Sequence, residues 1–333
     1  MKLRYYIQKK TPQLYSALVK INNRVNGYKS REIKAKCGAL NPEKTIYIIR
    51  IRRETLGLMG YYMAVLGHLR IAEEKKAIPV VDLMNTKNPY ITSKDVGRIN
   101  AWELYFEQVN TQVSLREAYN SKNVILSNME TPFEANPRWF YERVYLRGEM
   151  SFYYDLVKTY LRYNENTKEK LEEYYNLLFS NILRRGKKIL GVVCRGTDLI
   201  GFPGHSVQPT IEELCSKVKE SMHNFECEYV FMASDSNSAI EYFKTTIGRE
   251  SVLYNECKRY DEFDKEKNSV LSEMHFDREN DEYLKGIEYL TTMYLLSKCN
   301  ALIGSLVGST IGAICMNCGE YEHIEIIDEG VYH

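Results

Sequence analysis

The chain has 333 residues, 44% of them hydrophobic, with 45 Lys or Arg against 44 Asp or Glu and a formal net charge of +1. That length exceeds one ordinary core and suits two domains of about 150 residues each with a cleft between them, while the balanced charge excludes a global field of the kind that binds nucleic acid. No apolar run is long enough to span a membrane and no secretory segment opens the chain, so a reducing cytoplasmic location is expected, with the eight scattered cysteines behaving as small buried hydrophobes.

The chain opens on a basic arm, residues 1–43. Its first 36 residues hold ten Lys or Arg and one acidic residue, Glu32. Apolar residues recur near helical spacing through MKLRYYIQKKTPQLYSALVKINNRV, and two readings stand side by side: peripheral contact with an anionic membrane surface, or a solvated terminal helix. From Lys44 the β-branched run KTIYIIRIR predicts a strand, GLMGYYMAVLGHLRIAEEKK a helix after a glycine-containing turn, and AIPVVDL a second strand, which together make one βαβ unit. A helix around NAWELYFEQ, a short strand at NVILS and a long Tyr-rich helical stretch from Pro137 to Arg185 complete a first α/β domain, residues 44–186.

Residues 187–333 alternate more clearly. KKILGVVC reads as a strand, and QPTIEELCSKVKESMHNF as a helix opened by Pro209 and Thr210 with Glu212 and Glu213 in its first turn. EYVFMAS, SVLYNE, NALIGS and HIEIID are further strands. SNSAIEYFKTTIG, DEYLKGIEYLTTMYLLSKC and GSTIGAICMN are the helices between them, the first closed by Gly248 and the last by Gly319. Such alternation demands parallel pairing, so the expected fold class is α/β, with two Rossmann-like domains facing a cleft. The C-x-x-C at Cys315 and Cys318 lacks the second pair or the spaced histidine of a zinc site, and no metal is expected.

In parallel α/β sheets ligands lie at the carboxyl ends of strands. After GVVC come Arg195, Gly196, Thr197 and Asp198, with His205 closing the following loop. After VFMA come Ser234 and Asp235, and after ALIG come Ser305 and the helix-opening Gly308, Ser309 and Thr310. A helix N-terminus with hydroxyl donors binds phosphate oxygens, an arginine forks onto them, and Asp198 or Asp235 can accept from sugar or base. Gly57 and Gly60 let backbone approach a ligand in the first half. GLMG falls short of G-x-G-x-x-G, so a dinucleotide site is disfavoured. The chain also lacks a P-loop, an H-E-x-x-H and a Ser-His-Asp order. Structural alternatives remain beside each reading: an Arg195–Asp198 ion pair that orders the loop, a solvent-facing His205, and hydroxyls that only cap helices, worth about 1 kcal/mol each.

GVVCRGTDLIGFPGHSVQPTIEEL, YVFMASDS and YLLSKCNALIGSLVGSTIGAI together resemble the donor-sugar domain of the fucosyltransferase superfamily, which includes α-1,6-fucosyltransferases, nodulation fucosyltransferases and protein O-fucosyltransferases, and are nearest in flavour to bacterial surface-polysaccharide members. The resemblance implies a GT-B type glycosyltransferase, inverting and independent of metal. No cofactor is expected beyond a nucleotide-sugar co-substrate, GDP-fucose by the resemblance, and the acceptor is a glycan, free or lipid-linked. It assigns Arg195 to the donor diphosphate, Asp198 to the motif aspartate, Asp235 to the nucleoside side, Ser309 with Thr310 to donor phosphate, and Gly57 with Gly60 to the glycine loop. The sequence departs from the motif at Val193 in place of a histidine, at Gly196 in place of a second arginine, and at Thr292 in place of an aspartate that contacts guanine. Leu199 to His205 contains no carboxylate. The catalytic base is therefore open between Asp198 and His205. So is the reading itself, against a transferase of another nucleotide sugar or a non-catalytic nucleotide- or carbohydrate-binding protein.

Overall fold

The computed structural model describes residues 31–132, 135–137, 150–198, 200–201, 205–264 and 270–332. The amphipathic segment within 1–30, residues 138–149 of the Tyr-rich stretch and residues 202–204 before His205 lie outside the described residues.

The first sheet holds β1 (Ile33–Ala35), β2 (Leu40–Arg50), β3 (Ile78–Asp82) and β4 (Ser121–Leu126), ordered β1-β4-β2-β3. β2 pairs parallel with both β3 and β4, and β1 runs antiparallel along β4. Sandwiched on both sides, Ile46, Tyr47, Ile48 and Ile49 are wholly buried, as an unbroken apolar run in a parallel sheet requires. β3 is an edge, and side-chain amides cover it: Gln108 accepts from the Val81 N–H at 3.0 Å and donates to its carbonyl at 2.8 Å, while Asn110 donates to the Pro79 carbonyl at 2.8 Å. α1 (Leu58–Glu74) links β2 to β3.

Three elements of the first half differ from the sequence expectation. The arm contributes β1 and the start of β2, so regular structure begins before Lys44. NAWELYFEQ makes only a 3-10 turn, Ala101–Leu104; the chain leaves it because the Glu107 N–H donates to the Arg162 carbonyl at 2.9 Å and Phe106 bridges Tyr163. After the short α2 (Leu115–Ala118), the Tyr-rich stretch forms separate helices, α3 (Met150–Tyr160), α4 (Glu165–Leu178) and α5 (Ser180–Arg184). The break at Asn164 is built in, since its side chain accepts from the Thr167 N–H at 2.9 Å as the α4 cap.

The second sheet is fully parallel, ordered β7-β6-β5-β8-β9, from β5 (Ile189–Cys194), β6 (Tyr229–Ser234), β7 (Val252–Leu253), β8 (Ala301–Ser305) and β9 (His323–Ile327). The strand expected across SVLYNE shrinks to β7, because Asn255 turns away to accept from Thr292 at 3.0 Å. α6 (Ile211–Asn224) starts with a complete capping box from Thr210 and Glu213, and α7 (Asn237–Ile247) ends at Gly248 with φ 130°. α8 (Asp281–Ser297) and α9 (Gly308–Asn317) follow, α9 closing on Cys318 in the left-handed region one residue before Gly319.

One apolar cluster runs through both halves, joining Met59, Tyr62 and Leu66 of α1 to Leu290 of α8 and Ile311 of α9. Gly286 is required at this junction: a Cβ there would lie 2.0 Å from the Tyr105 hydroxyl, which donates to the Tyr283 carbonyl at 3.0 Å. Among the described residues, no helix is long and apolar enough to cross a membrane.

Candidate active site

Strand order reverses beside β5, whose neighbours are β6 and β8, and beside β2, flanked by β4 and β3. Crevices form at such switch points, outside the carboxyl ends of the strands. The cavity lies where these ends meet. It measures about 420 Å³ and is lined from the first half by Arg53, Gly57, Gly60 and Tyr90, and from the second by Arg195, Asp198, His205, Tyr260, Lys285, Tyr289, Gly308 and Ser309. A side cavity of about 70 Å³ shares Arg195, Tyr260, Lys285, Tyr289 and Ser309, and reaches Asp235, Glu288 and Thr292.

Arg195 leaves β5 with its side chain 19% exposed. One Nη donates to Asp198 Oδ1 at 2.6 Å, and Nε stands 3.3 Å from Asp235 Oδ2 without hydrogen-bond alignment. Burial opposes its charge, but Asp235 and Asp198 outweigh burial and hold its pKa above the ordinary arginine value. The ion pair expected as the structural alternative is therefore present, and in the same cavity as the ligand-binding reading requires. Asp198 is 5% exposed, and its Oδ2 accepts from the Leu271 N–H at 3.2 Å. Asp235 accepts from the Gly196 N–H at 2.9 Å and from the Thr197 hydroxyl at 2.7 Å, so its oxygens are engaged in shaping the loop.

The α9 terminus faces the cavity with Gly308 and Ser309. No side-chain hydrogen bond caps it from Val307, and the first N–H groups of a helix, which lack intrahelical partners, suit an anion. Ser309 is hydrogen-bonded to the Tyr289 side chain, whose pKa is raised chiefly by burial. Ser305 and Thr310 do not line the cavity. Thr310 is wholly buried and donates to the Ser305 carbonyl at 2.6 Å, turning the strand into the helix. In the other half a Cβ on Gly57 would meet nothing within 4 Å, whereas one on Gly60 would strike the Leu56 side chain at 2.5 Å. Gly57 thus leaves space at the cavity wall, and Gly60 serves packing.

Arg53, Tyr90, Tyr260, Lys285 and Tyr289 escaped the sequence reading. Arg53 follows β2 at its carboxyl end, so the rule that found Arg195 also reaches it. Lys285 and Tyr289 lie on successive turns of one face of α8, where nothing local distinguishes a cavity face from a core face. A short segment, Leu271–Glu273, rims the cavity and bridges the halves, since Ser272 donates to the Thr55 carbonyl at 2.7 Å.

No family model matches the sequence, and no curated protein matches it. The chain is similar in structure to NodZ α-1,6-fucosyltransferase soaked with GDP-fucose, at TM-score 0.48 and 14% identity over 83% of this chain and 92% of that one. It is also similar to POFUT1 in complex with GDP-fucose, at TM-score 0.36 and 11% identity over 86% and 75%. An Arabidopsis thaliana FUT1 mutant in complex with GDP gives TM-score 0.46 and 10% identity over 86% and 72%.

Proposed function

We propose that the chain is a GT-B glycosyltransferase that holds a nucleotide sugar in the cavity between its halves and transfers the sugar, fucose from GDP-fucose by the sequence resemblance, to a hydroxyl of a glycan. The observation that carries this is the meeting of Arg195, the uncapped α9 terminus and the open wall at Gly57 in one cavity at two switch points. In this reading residues 44–186 form the acceptor side and 187–333 the donor side. The basic residues of segment 1–36 favour an anionic membrane surface on the cytoplasmic side, where a lipid-linked acceptor would be reached.

The acceptor oxygen attacks the anomeric carbon, the bond from that carbon to the diphosphate oxygen breaks with its electron pair staying on the diphosphate, and the acceptor proton passes to a base. Fixed positive groups aimed at the departing charge lower the barrier, and Arg195 with the α9 N–H groups supplies them. Asp198 and His205, which both line the cavity, are the candidate bases.

The test is incubation of purified protein with GDP-fucose and a panel of acceptor oligosaccharides, with products weighed by mass spectrometry in the presence and absence of a chelator. Transfer that survives chelation is expected. Transfer from UDP-sugars alone replaces the donor, and donor binding without hydrolysis or transfer makes the chain a binding protein.

A further inference from the structure

We infer that Lys285 contacts the leaving diphosphate and stands in space for the second arginine that the β5 loop lacks. The inference rests on the nucleotide-sugar reading of the cavity. Arg195, the one cation of that loop, already faces two carboxylates, Asp198 at 2.6 Å and Asp235 at 3.3 Å. The trio carries excess negative charge, and an incoming diphosphate adds more. A further cation facing the lumen would offset this charge, and Gly196 supplies none; Arg53 lines the main cavity alone, whereas Lys285 lines both it and the side cavity that Arg195 shares. Space does not dictate that glycine, since a Cβ there would meet nothing nearer than Ser236 Cβ at 3.7 Å.

Lys285 is placed for the task. Its side chain is 3% exposed and it lines both the main cavity and the side cavity, as Arg195 and Ser309 do. Its ammonium donates to the Met274 carbonyl at 2.8 Å and lies 3.6 Å from Asp281 Oδ2. That carboxylate is already held by Arg278 at 2.8 Å and by the Phe276 N–H at 3.1 Å. An ammonium has three donors, so donor capacity remains for a ligand. Burial, the largest influence, holds the Lys285 pKa below the ordinary lysine value despite Asp281, and a bound anion would relieve that penalty. A lysine kept only to tie Met274 and Asp281 together would not need to line the lumen.

Two variants separate the roles. Lys285→Gln retains a donor for the Met274 carbonyl and removes the charge; Lys285→Met removes both. Calorimetric affinities of wild type and variants for guanosine, GMP and GDP report how much each phosphate adds. The expected result is wild-type affinity that rises with each phosphate, and variants that bind guanosine as wild type does while losing about 10-fold to 100-fold on GDP, the loss from one charge-assisted contact. Lys285→Gln binding GDP as tightly as wild type overturns the inference and leaves the cavity reading intact. Wild type that gains nothing from phosphates overturns both.

Discussion

Asp235 offers a sharp test of whether a motif residue serves the ligand or the scaffold. The resemblance places it near the donor nucleoside, yet its oxygens take the Gly196 N–H, the Thr197 hydroxyl and the flank of Arg195. Asp235→Ala removes two hydrogen bonds to a charged acceptor and one of two carboxylates facing a buried guanidinium. Truncating one partner of a buried pair costs about 3–5 kcal/mol, and because Asp198 stays in place the lower end applies, about 3 kcal/mol. At roughly 2–4 °C per kcal/mol for large domains, the melting temperature should fall by about 6–12 °C. Circular dichroism melts without ligand measure this, with Asp235→Asn as the control that keeps an acceptor for Gly196 and recovers part of the loss. Melting of Asp235→Ala within about 2 °C of wild type would refute the scaffold role and return Asp235 to the ligand.

Other expectations follow from the same contacts. Arg195→Lys keeps a charge between the carboxylates but loses the planar fork, and turnover should fall about 100-fold with guanosine affinity unchanged. His68 is wholly buried and accepts from or donates to Tyr47 at 3.1 Å; burial first, then Arg50, lowers its pKa from 6.5 to about 3. The unfolded chain therefore binds the proton first, so stability from this site is complete above pH 6.5 and is lost as pH falls toward about 3. His68→Gln should flatten that acid limb in urea melts taken between those values. Gly286→Ala pushes a methyl into the Tyr105 hydroxyl and should cost about 1–3 kcal/mol in urea unfolding.

Strand ends were the readable part of the site. Arg195, Asp198, His205, Gly57 and Ser309 all stand where βα connections deliver them, and each lines the cavity. Ser305 and Thr310 sit at the correct strand end but do not line the cavity, and the buried Thr310 hydroxyl takes the Ser305 carbonyl before it serves a ligand. Lys285 and Tyr289 were illegible for a different reason: the facing of α8 depends on long-range packing of its apolar residues against α1 and α9. The same holds for the Tyr-rich stretch, where periodicity alone could not show that the Tyr105 carbonyl accepts from the Asn164 N–H at 3.1 Å and divides one long helix into separate pieces.

The apolar cluster shared by α1, α8 and α9 sets the mechanical character of the molecule. Halves joined through polar contacts swing freely, but halves joined through a common core do not. Separating them exposes Met59, Leu290 and Ile311 to water, at roughly 25 cal/mol for each Å² uncovered. Substrate traffic must then be accommodated at the rim, where Ser272 holds Thr55 through a single hydroxyl, a contact worth about 1 kcal/mol. On the nucleotide-sugar reading, a joint this well buried would leave binding energy for gripping the ligand, with little consumed in closing around it.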